Sequence, residues 1–248
     1  MIIAKSSAEL AIMREAGRIT AMALRAVGDA VRPGVTTGDL DAIAEAAIRD
    51  AGAAPAFKGY HGFPATLCTS VDSQVVHGIP GSRVLREGEI VSVDCGAIVD
   101  GYYGDSAMTF PVGDVSSAAR HLMDVTRSSL EAGIARCIPG MRLHDISAAV
   151  QEVAESAGFG VVREYVGHGI GRAMHEDPQV PNYGQAGTGP TLKAGMVLAI
   201  EPMINAGRPD VRSLDDGWTV VTADGHLSAH FEHTVAITEG GPMILTLE

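Results

Sequence analysis

The chain has 248 residues, of which 46% are hydrophobic, and its formal net charge is −12. This length fits one large domain or two small ones, and the hydrophobic share is enough for a sizeable core. The acidic balance argues against nucleic acid and against anionic membranes as partners, and three widely spaced cysteines argue against a disulfide framework.

The first half reads as two helices followed by a hairpin. Ser6 and Glu9 form a capping-box pattern, which predicts a helix that runs to about Ala30. Pro33-Gly34 ends this segment, and a second helix is predicted from Thr37 to Gly52. Strands at Ile90–Ala97 and Tyr102–Phe110 flank Asp100-Gly101, a two-residue hairpin signal. This register places Asp105 opposite Gly96, so that Asp94 and Asp105 share one face.

The second half has the same order of patterns. Helices are predicted at about Ser117–Cys137 and Leu143–Ala157. Strands at Trp218–Thr222 and Leu227–Ile237 flank Asp224-Gly225, a second hairpin signal. In that hairpin Glu232 would lie opposite Gly217.

The two halves repeat one another. Gly88 and Asp94 match Gly195 and Glu201 at an offset of 107, and Pro33-Gly34 matches Pro139-Gly140 at 106. The segment from Gly59 to Phe63 also aligns with Val166–Ile170. We therefore expect an α+β chain with two related halves, about 1–114 and 115–248, that close around a pseudo-twofold axis. Because both halves supply acids to one site, we expect one catalytic domain over residues 1–248.

Five residues stand out as candidate metal ligands: Asp94, Asp105, His168, Glu201 and Glu232. Each has an ordinary alternative, since acids end strands and cap turns and a histidine between glycines can be a core residue. Acids are rare in strand interiors and in buried places unless they are paired. Four converging carboxylates would repel one another, and two divalent cations would balance their charge. Oxygen ligands with one imidazole suit Mn²⁺, Fe²⁺, Co²⁺ or Zn²⁺, which indicates metal-assisted hydrolysis.

Several short segments in chain order form a recognisable set of motifs: His77-Gly78-Ile79-Pro80, Val93-Asp94-Cys95-Gly96, Asp100–Asp105, Gly167–Gly171, Met174-His175-Glu176, Ile200-Glu201-Pro202 and Phe231–Thr234. With these motifs the chain resembles the type I methionine aminopeptidases, which have the pita-bread fold. This resemblance implies helix pairs packed on a curved antiparallel sheet around a dinuclear metal site. We expect neither the large insertion of the type II enzymes nor an N-terminal extension.

The resemblance also implies a role for each site residue. Asp94 and Asp105 would hold one metal and His168 and Glu201 the other, with Asp105 and Glu232 bridging. Glu201 would relay a proton, His175 would stabilise the oxyanion, and His77 would contact the peptide beyond the methionine. His77 could equally be a turn residue and His175 a surface or helix-start residue. A monovalent cation bound by carbonyls near Asp72, Gln74 and Ser228 is a further expectation.

The methionine side chain would lie in an apolar pocket, although its residues could also be plain core: Tyr60, Phe63, Cys68, Met174 and Trp218. Met174 stands where the family usually has an aromatic residue, and Phe63 stands where a tyrosine is common. Because methionine is flexible and polarizable, the pocket should be looser than usual.

These features predict removal of the initiator methionine from nascent peptides whose second residue is small. The expected compartment is the cytoplasm, because no signal peptide or membrane-spanning stretch is visible. We also expect a monomeric enzyme that acts near the ribosome exit region. Two alternatives are a proline-specific peptidase of the same fold and a binding protein that has lost catalysis. The complete ligand set argues against the second, and the absence of a large N-terminal domain argues against the first.

Overall fold

The helices of the computed structural model, which describes residues 2–248, occur as two pairs. They are α1 (Ser7–Ala30), α2 (Thr37–Asp50), α3 (Ser117–Ile134) and α4 (Leu143–Ser156). The predicted capping box is present, since Ser6 Oγ accepts from the Glu9 N–H and the Glu9 carboxylate accepts from the Ser6 N–H. Within residues 2–248 no helix combines the length and apolar character needed to cross a membrane.

The strands of the first half end in the predicted hairpin. They are β1 (Ala54–Pro55), β2 (Leu67–Val71), β3 (Gln74–Val76), β4 (Ile90–Val99) and β5 (Tyr102–Pro111). The register of β4 and β5 is the one expected, with Gly96 opposite Asp105. Asp100 and Gly101 have φ of 48° and 77°, which is the backbone that a two-residue turn between twisted strands requires.

The second half has ten shorter strands within the described residues. They are β6 (Gly160–Val161), β7 (Gly167–Gly169), β8 (Glu176–Val180), β9 (Val197–Ile200), β10 (Met203–Asn205), β11 (Val211–Ser213), β12 (Val220–Thr222), β13 (Ser228–His230), β14 (Glu232–Thr238) and β15 (Gly241–Ile244). Among residues 2–248 every strand pairing is antiparallel. The fold is therefore α+β, as predicted.

One large sheet carries both halves. Its strand order is β1-β4-β5-β14-β9-β7-β8, with β2 added to β4 and β15 added to β14. The first helix pair packs on the β4 side around Leu24 and Leu40, and the second packs on the β9 side around Leu122 and Ile146. The curved sheet with two helix pairs is the predicted pita-bread arrangement. The assignment of residues 1–248 to one catalytic domain stays a prediction.

The repeat is visible in the backbone. Gly34 and Gly140 have φ of 91° and 90°, and Gly88 and Gly195 have φ of 86° and 89°. These values lie in the left-handed region, which glycine adopts at no steric cost. Repeat-related glycines thus make equivalent turns in the two halves. The seam between the halves is the pairing of β5 with β14.

The prediction of a second hairpin is wrong. Residues 218–222 and 227–237 do not pair, and Glu232 lies opposite Ala107 of β5 rather than opposite Gly217. The turn at Asp224-Gly225 exists, but β12 already has β11 on one side and β3 on the other. Since β12 has no free edge, the segment after the turn pairs with β10 as β13 and then joins the large sheet as β14.

The alignment of Gly59–Phe63 with Val166–Ile170 is also wrong. Residues 60–62 form a 3₁₀ turn, whereas residues 167–169 form β7 between β8 and β9. In the second half β7 pairs with β9, and in the first half β2 pairs with β4 in the equivalent position. His168 of β7 lies opposite Ala199, and Ser70 of β2 lies opposite Ser92, which is the repeat equivalent of Ala199. Ser70 is therefore the geometric counterpart of His168. The glycines that suggested the match serve different backbone conformations.

Candidate metal centre and adjoining cleft

The strand register brings four acids to one face of the large sheet. Asp94 and Glu232 both lie opposite Ala107, from strands on either side of β5. Asp105 is two residues from Ala107 on the same strand, so its side chain is on the same face. Ile200, the last residue of β9, pairs with His233 of β14, and the two strands are antiparallel. The next residue, Glu201, therefore lies at the level of Glu232.

His168 completes the group from the next strand along. It pairs with Ala199, two residues before Glu201, and therefore shares the face of the acids. Its Nε2 lies 3.4 Å from Oε1 of Glu201 and 3.9 Å from Oδ2 of Asp105. One ligand atom each from Asp105, His168 and Glu232 lie within 4.8 Å of one another. The structure thus brings together all five candidate ligands.

The tautomer of His168 is set by its neighbour. Its Nδ1 lies 2.9 Å from the carbonyl oxygen of Gly169, which can only accept a hydrogen bond. A proton on Nδ1 leaves the Nε2 lone pair directed at the carboxylates. This arrangement is the usual one for a histidine that binds a metal.

The acids are buried without enough partners to keep them ionised. Burial raises the pKa of Asp105 from 3.8 to about 7, and burial together with neighbouring carboxylates raises the pKa values of Asp94, Glu201 and Glu232 well above the ordinary range. One oxygen each of Asp94, Asp105 and Glu232 has no hydrogen-bond partner. Divalent cations would occupy these oxygens and hold the acids in their charged form, so the donor set fits such ions.

An apolar cleft opens beside the acids. It has a volume of about 240 Å³, and every residue predicted for the pocket lines it: Tyr60, Phe63, Cys68, Met174 and Trp218. The rings of Phe63 and Trp218 meet edge to face with centroids 5.0 Å apart. Phe57 and His61 also line the cleft and were not predicted. The cleft therefore has an apolar wall next to a wall of acids and histidines.

The two predicted catalytic histidines lie in the same cleft. Nδ1 of His175 is 2.7 Å from the Tyr60 hydroxyl, and its ring centroid is 4.3 Å from that of His168. His77 has a φ of 60° and packs edge-on against Tyr165. Burial lowers the pKa of His175, and burial together with His175 lowers the pKa of His77 to about 4. Both rings are therefore neutral at pH 7.

A further histidine near the five candidate ligands was not predicted. His230 is 1% exposed, its Nε2 has no hydrogen-bond partner, and this atom lies 3.9 Å from Oε2 of Glu201. Burial lowers the pKa of His230 to about 3, and the nearby His77 ring contributes. The alternation of side chains along an extended segment could have indicated it, because His230 is two residues before Glu232.

Comparison with known proteins places these features in one family. Residues 11–239 match metallopeptidase family M24. The chain is 56% identical to methionine aminopeptidase 1 of Bacillus subtilis, over 99% of each length, and 55% identical to methionine aminopeptidase of Clostridium acetobutylicum, over 100% of this chain and 99% of the relative.

Solved structures agree with this placement. The crystal structure of methionine aminopeptidase from Thermotoga maritima superposes with a TM-score of 0.99 at 49% identity and covers 100% of both chains. The prolidase of Pyrococcus furiosus gives a TM-score of 0.79 at 25% identity, over 99% of this chain and 66% of the prolidase. The greater identity and full coverage thus lie with the aminopeptidase rather than with the proline-specific enzyme.

Proposed function

The chain belongs to the methionine aminopeptidases of metallopeptidase family M24, and we propose that it removes the initiator methionine from proteins with a small second residue. The observation that carries the proposal is the apolar cleft that opens directly beside five buried metal-ligand side chains. A substrate with an apolar first side chain would reach the cleft with its scissile carbonyl near the charged wall. Such a geometry suits an exopeptidase.

The ligand assignment is part of this proposal. Asp94 and Asp105 would hold one divalent ion and His168 and Glu201 the other, with Asp105 and Glu232 as the ligands that the two ions would share. When bound, two ions of Mn, Fe, Co or Zn supply Lewis acidity and activate water at neutral pH. The unpartnered oxygens of Asp94, Asp105 and Glu232 support the assignment, because each would gain a ligand bond in place of a missing hydrogen bond.

Glu201 acts as the proton carrier. It takes a proton from the attacking water and delivers it to the nitrogen of the leaving peptide. Its carboxylate lines the cleft, as a group that transfers a proton to a bound peptide must. The Asn182 side chain donates to the Glu201 backbone carbonyl at 3.0 Å and holds this position in the chain.

His175 stabilises the oxyanion that develops on the methionine carbonyl. A Tyr60 hydroxyl that donates to Nδ1 leaves the proton of the neutral ring on Nε2, where it can donate into the cleft. A donor fixed in this way before the reaction is worth more than one that must reorient. His77 contacts the peptide beyond the methionine, and its packing against Tyr165 fixes its ring.

The pocket residues select the methionine side chain. Phe63 and Trp218 form an aromatic wall, and the thioether of a bound methionine can contact ring edges favourably. Met174, 4% exposed, is packed with Cys68 in the same apolar cluster. A flexible side chain at position 174 allows the pocket to adjust to its ligand.

A monovalent cation near Asp72, Gln74 and Ser228 is a further part of the proposal. The Ser228 N–H donates to the Asp72 carbonyl at 2.8 Å, so these backbone segments lie side by side. Asp72 has a φ of 55°, which turns its peptide units away from an extended course. Carbonyl oxygens grouped in this way are ligands that hard cations prefer.

The setting of the enzyme follows from its substrate. Initiator methionines occur on newly made chains, so we propose that the enzyme acts in the cytoplasm, near the ribosome exit region, on nascent peptides. We further propose that it acts as a monomer, because the acids, histidines and pocket residues all come from one chain.

Hydrolysis of short peptides tests the function. Chelator-treated protein is supplied in turn with Mn²⁺, Co²⁺, Fe²⁺ or Zn²⁺ and offered Met-Ala-Ser, Met-Lys-Ser and Ala-Pro-Ser. We expect metal-dependent release of methionine from Met-Ala-Ser alone. Cleavage of Ala-Pro-Ser would favour the proline-specific alternative. No cleavage by protein that folds and binds metal would favour a binding protein.

A further inference from the structure

A lysine near the start of the chain is buried beside the catalytic cleft. The side chain of Lys5 is 5% exposed, and its Nζ lies 2.5 Å from Oε2 of Glu176, whose side chain is 13% exposed. Nζ also donates to the carbonyl of Ile3 at 3.0 Å. The Lys5 N–H donates to the Gly195 carbonyl at 2.7 Å, so the segment before α1 is bonded to the turn that leads into β9.

Glu176 ties down the loop that carries two cleft residues. Its Oε1 accepts hydrogen bonds from the N–H groups of Arg172 and Ala173, at 2.8 and 3.3 Å. The next two residues, Met174 and His175, line the cleft, and His175 is adjacent to Glu176 in sequence. One carboxylate therefore closes residues 172–176 into a ring and faces Lys5 with its second oxygen.

The ion pair fits against the backbone of the loop without spare room. A Cβ on Gly171 would lie 2.5 Å from Cε of Lys5 and 2.6 Å from Oε1 of Glu176. The Gly171 carbonyl accepts from the Tyr103 N–H at 2.9 Å, so this end of the loop cannot retreat from the lysine without breaking a bond to β5. Lys5 thus occupies a space that the loop encloses.

Removal of one partner from a buried ion pair leaves the other charge without compensation. Without Lys5, the Glu176 carboxylate would have to turn toward water to regain solvation. Its two bonds to Arg172 and Ala173 would then weaken, and the following residues would shift. A displacement of about 1 Å at a catalytic group can cost on the order of 100-fold in rate.

We propose that Lys5 is a positioning residue for the reaction, which it supports by holding Glu176 so that the loop places His175 and Met174 in the cleft. The part of this inference that concerns the rate of catalysis rests on the proposed function. The position of the loop itself can be measured separately. The effect should be largest on kcat, because the His175 donor acts on the transition state rather than on the bound peptide.

The test compares four proteins: the wild type, Lys5→Met, the double variant Lys5→Met/Glu176→Gln, and Arg18→Met as control. Methionine matches the length of lysine without its charge. A glutamine at 176 keeps an oxygen for the two loop N–H groups and carries no charge to be stranded. Arg18 belongs to an exposed ion pair with Glu15 on α1, whose loss should have little effect.

Two readouts are taken from each protein. The first is kcat and KM on Met-Ala-Ser at saturating metal, with metal content measured in parallel. The second is hydrogen exchange of the Arg172 and Ala173 amides. For Lys5→Met we expect kcat to fall about tenfold or more with unchanged metal content, and the two amides to exchange at least about tenfold faster. The double variant should recover much of both losses, and Arg18→Met should match the wild type.

Unchanged kcat and unchanged exchange in Lys5→Met would overturn the inference. If Lys5→Met loses metal content, stability and activity together, and the double variant recovers none of them, Lys5 has a general structural role and the inference is also overturned. If the wild type itself does not cleave Met-Ala-Ser, the proposed function fails, yet the exchange rates still decide whether Lys5 holds the loop. If Lys5→Met does not fold but the double variant does, the unpaired Glu176 charge is the cause, which supports the inference; if neither variant folds, Lys5 has a general structural role and the inference is overturned.

Discussion

The acids of the metal centre should make the metal-free protein less stable than a variant that lacks one of them. Asp105 is 5% exposed, and burial raises its pKa from 3.8 to about 7. A group whose folded pKa is raised contributes stability that is complete below its unfolded pKa and is lost as pH rises through the folded value. The shift corresponds to a loss of about 4 kcal/mol in the free energy of unfolding at pH 8.

The variant Asp105→Asn removes this cost with little change in shape. About 3 of the 4 kcal/mol should be lost between pH 5 and pH 8. The stability advantage of Asp105→Asn over the metal-free wild type should therefore grow by about 3 kcal/mol over that range. Taking the difference between variants is essential, because burial lowers the pKa values of His168 and His230 and so makes stability rise with pH toward 6.5 in both proteins.

Urea unfolding at pH 5 and pH 8, in chelator and again with excess divalent metal, measures this difference. The exposed Asp124→Asn on α3 serves as the matched control and should show no growing advantage. With metal in excess the order should reverse, because two ions bound to the folded wild type, each at 100 times its Kd, together stabilise it by about 5 kcal/mol, which exceeds the cost of about 4 kcal/mol. If, without metal at pH 8, the free energy of unfolding of Asp105→Asn is no greater than that of the wild type, the reasoning is wrong.

Four further substitutions test the site and the packing that supports it. Glu201→Gln should fold and lose turnover, since the amide cannot carry a proton, and a wild-type kcat would exclude the proposed role. His175→Ala should lower kcat by about 10²–10³ through loss of an oxyanion donor, whereas an effect on KM alone would indicate substrate positioning. Tyr60→Phe should lower kcat about tenfold, because His175 loses the 2.7 Å contact that holds its ring. Steady-state kinetics measure this change, and an unchanged kcat would show that the contact does not support catalysis. Gly104→Ala should reduce the urea midpoint by an amount equivalent to about 2 kcal/mol, since its Cβ would lie 2.6 Å from the Gly17 nitrogen, and an unchanged midpoint would argue against this close packing.

Local signals were enough to predict the helices and the first hairpin. The Ser6 capping box and the Asp100-Gly101 turn act over two to four residues, and their outcomes depend little on the rest of the chain. The helix that follows Ser116 ends at Ile134, three residues before the predicted end at Cys137, because the last turn has no single strong stop signal. Segment ends are decided by small differences in free energy, and packing can override them.

The strand partners of Glu232 could not be predicted from the sequence. A turn signal at Asp224-Gly225 predicts a hairpin only if the strand before it has a free edge, and β12 does not. The same limit explains why Ser70, rather than a residue near His61, is the counterpart of His168 in the sheet. Strand pairing is a property of the assembled sheet, because an edge can be filled by any segment of the chain.

The sequence by itself determined which side chains could hold metal, since carboxylates and an imidazole at repeated positions are visible in its letters. It also determined the helices and one hairpin, whose causes lie within a few residues. Only the tertiary structure decided that Lys5 reaches Glu176, that His230 faces Glu201, and that the acids lie in a row across β4, β5 and β14. These contacts join residues far apart in the chain, and they form because burial and strand pairing of the whole molecule bring them together.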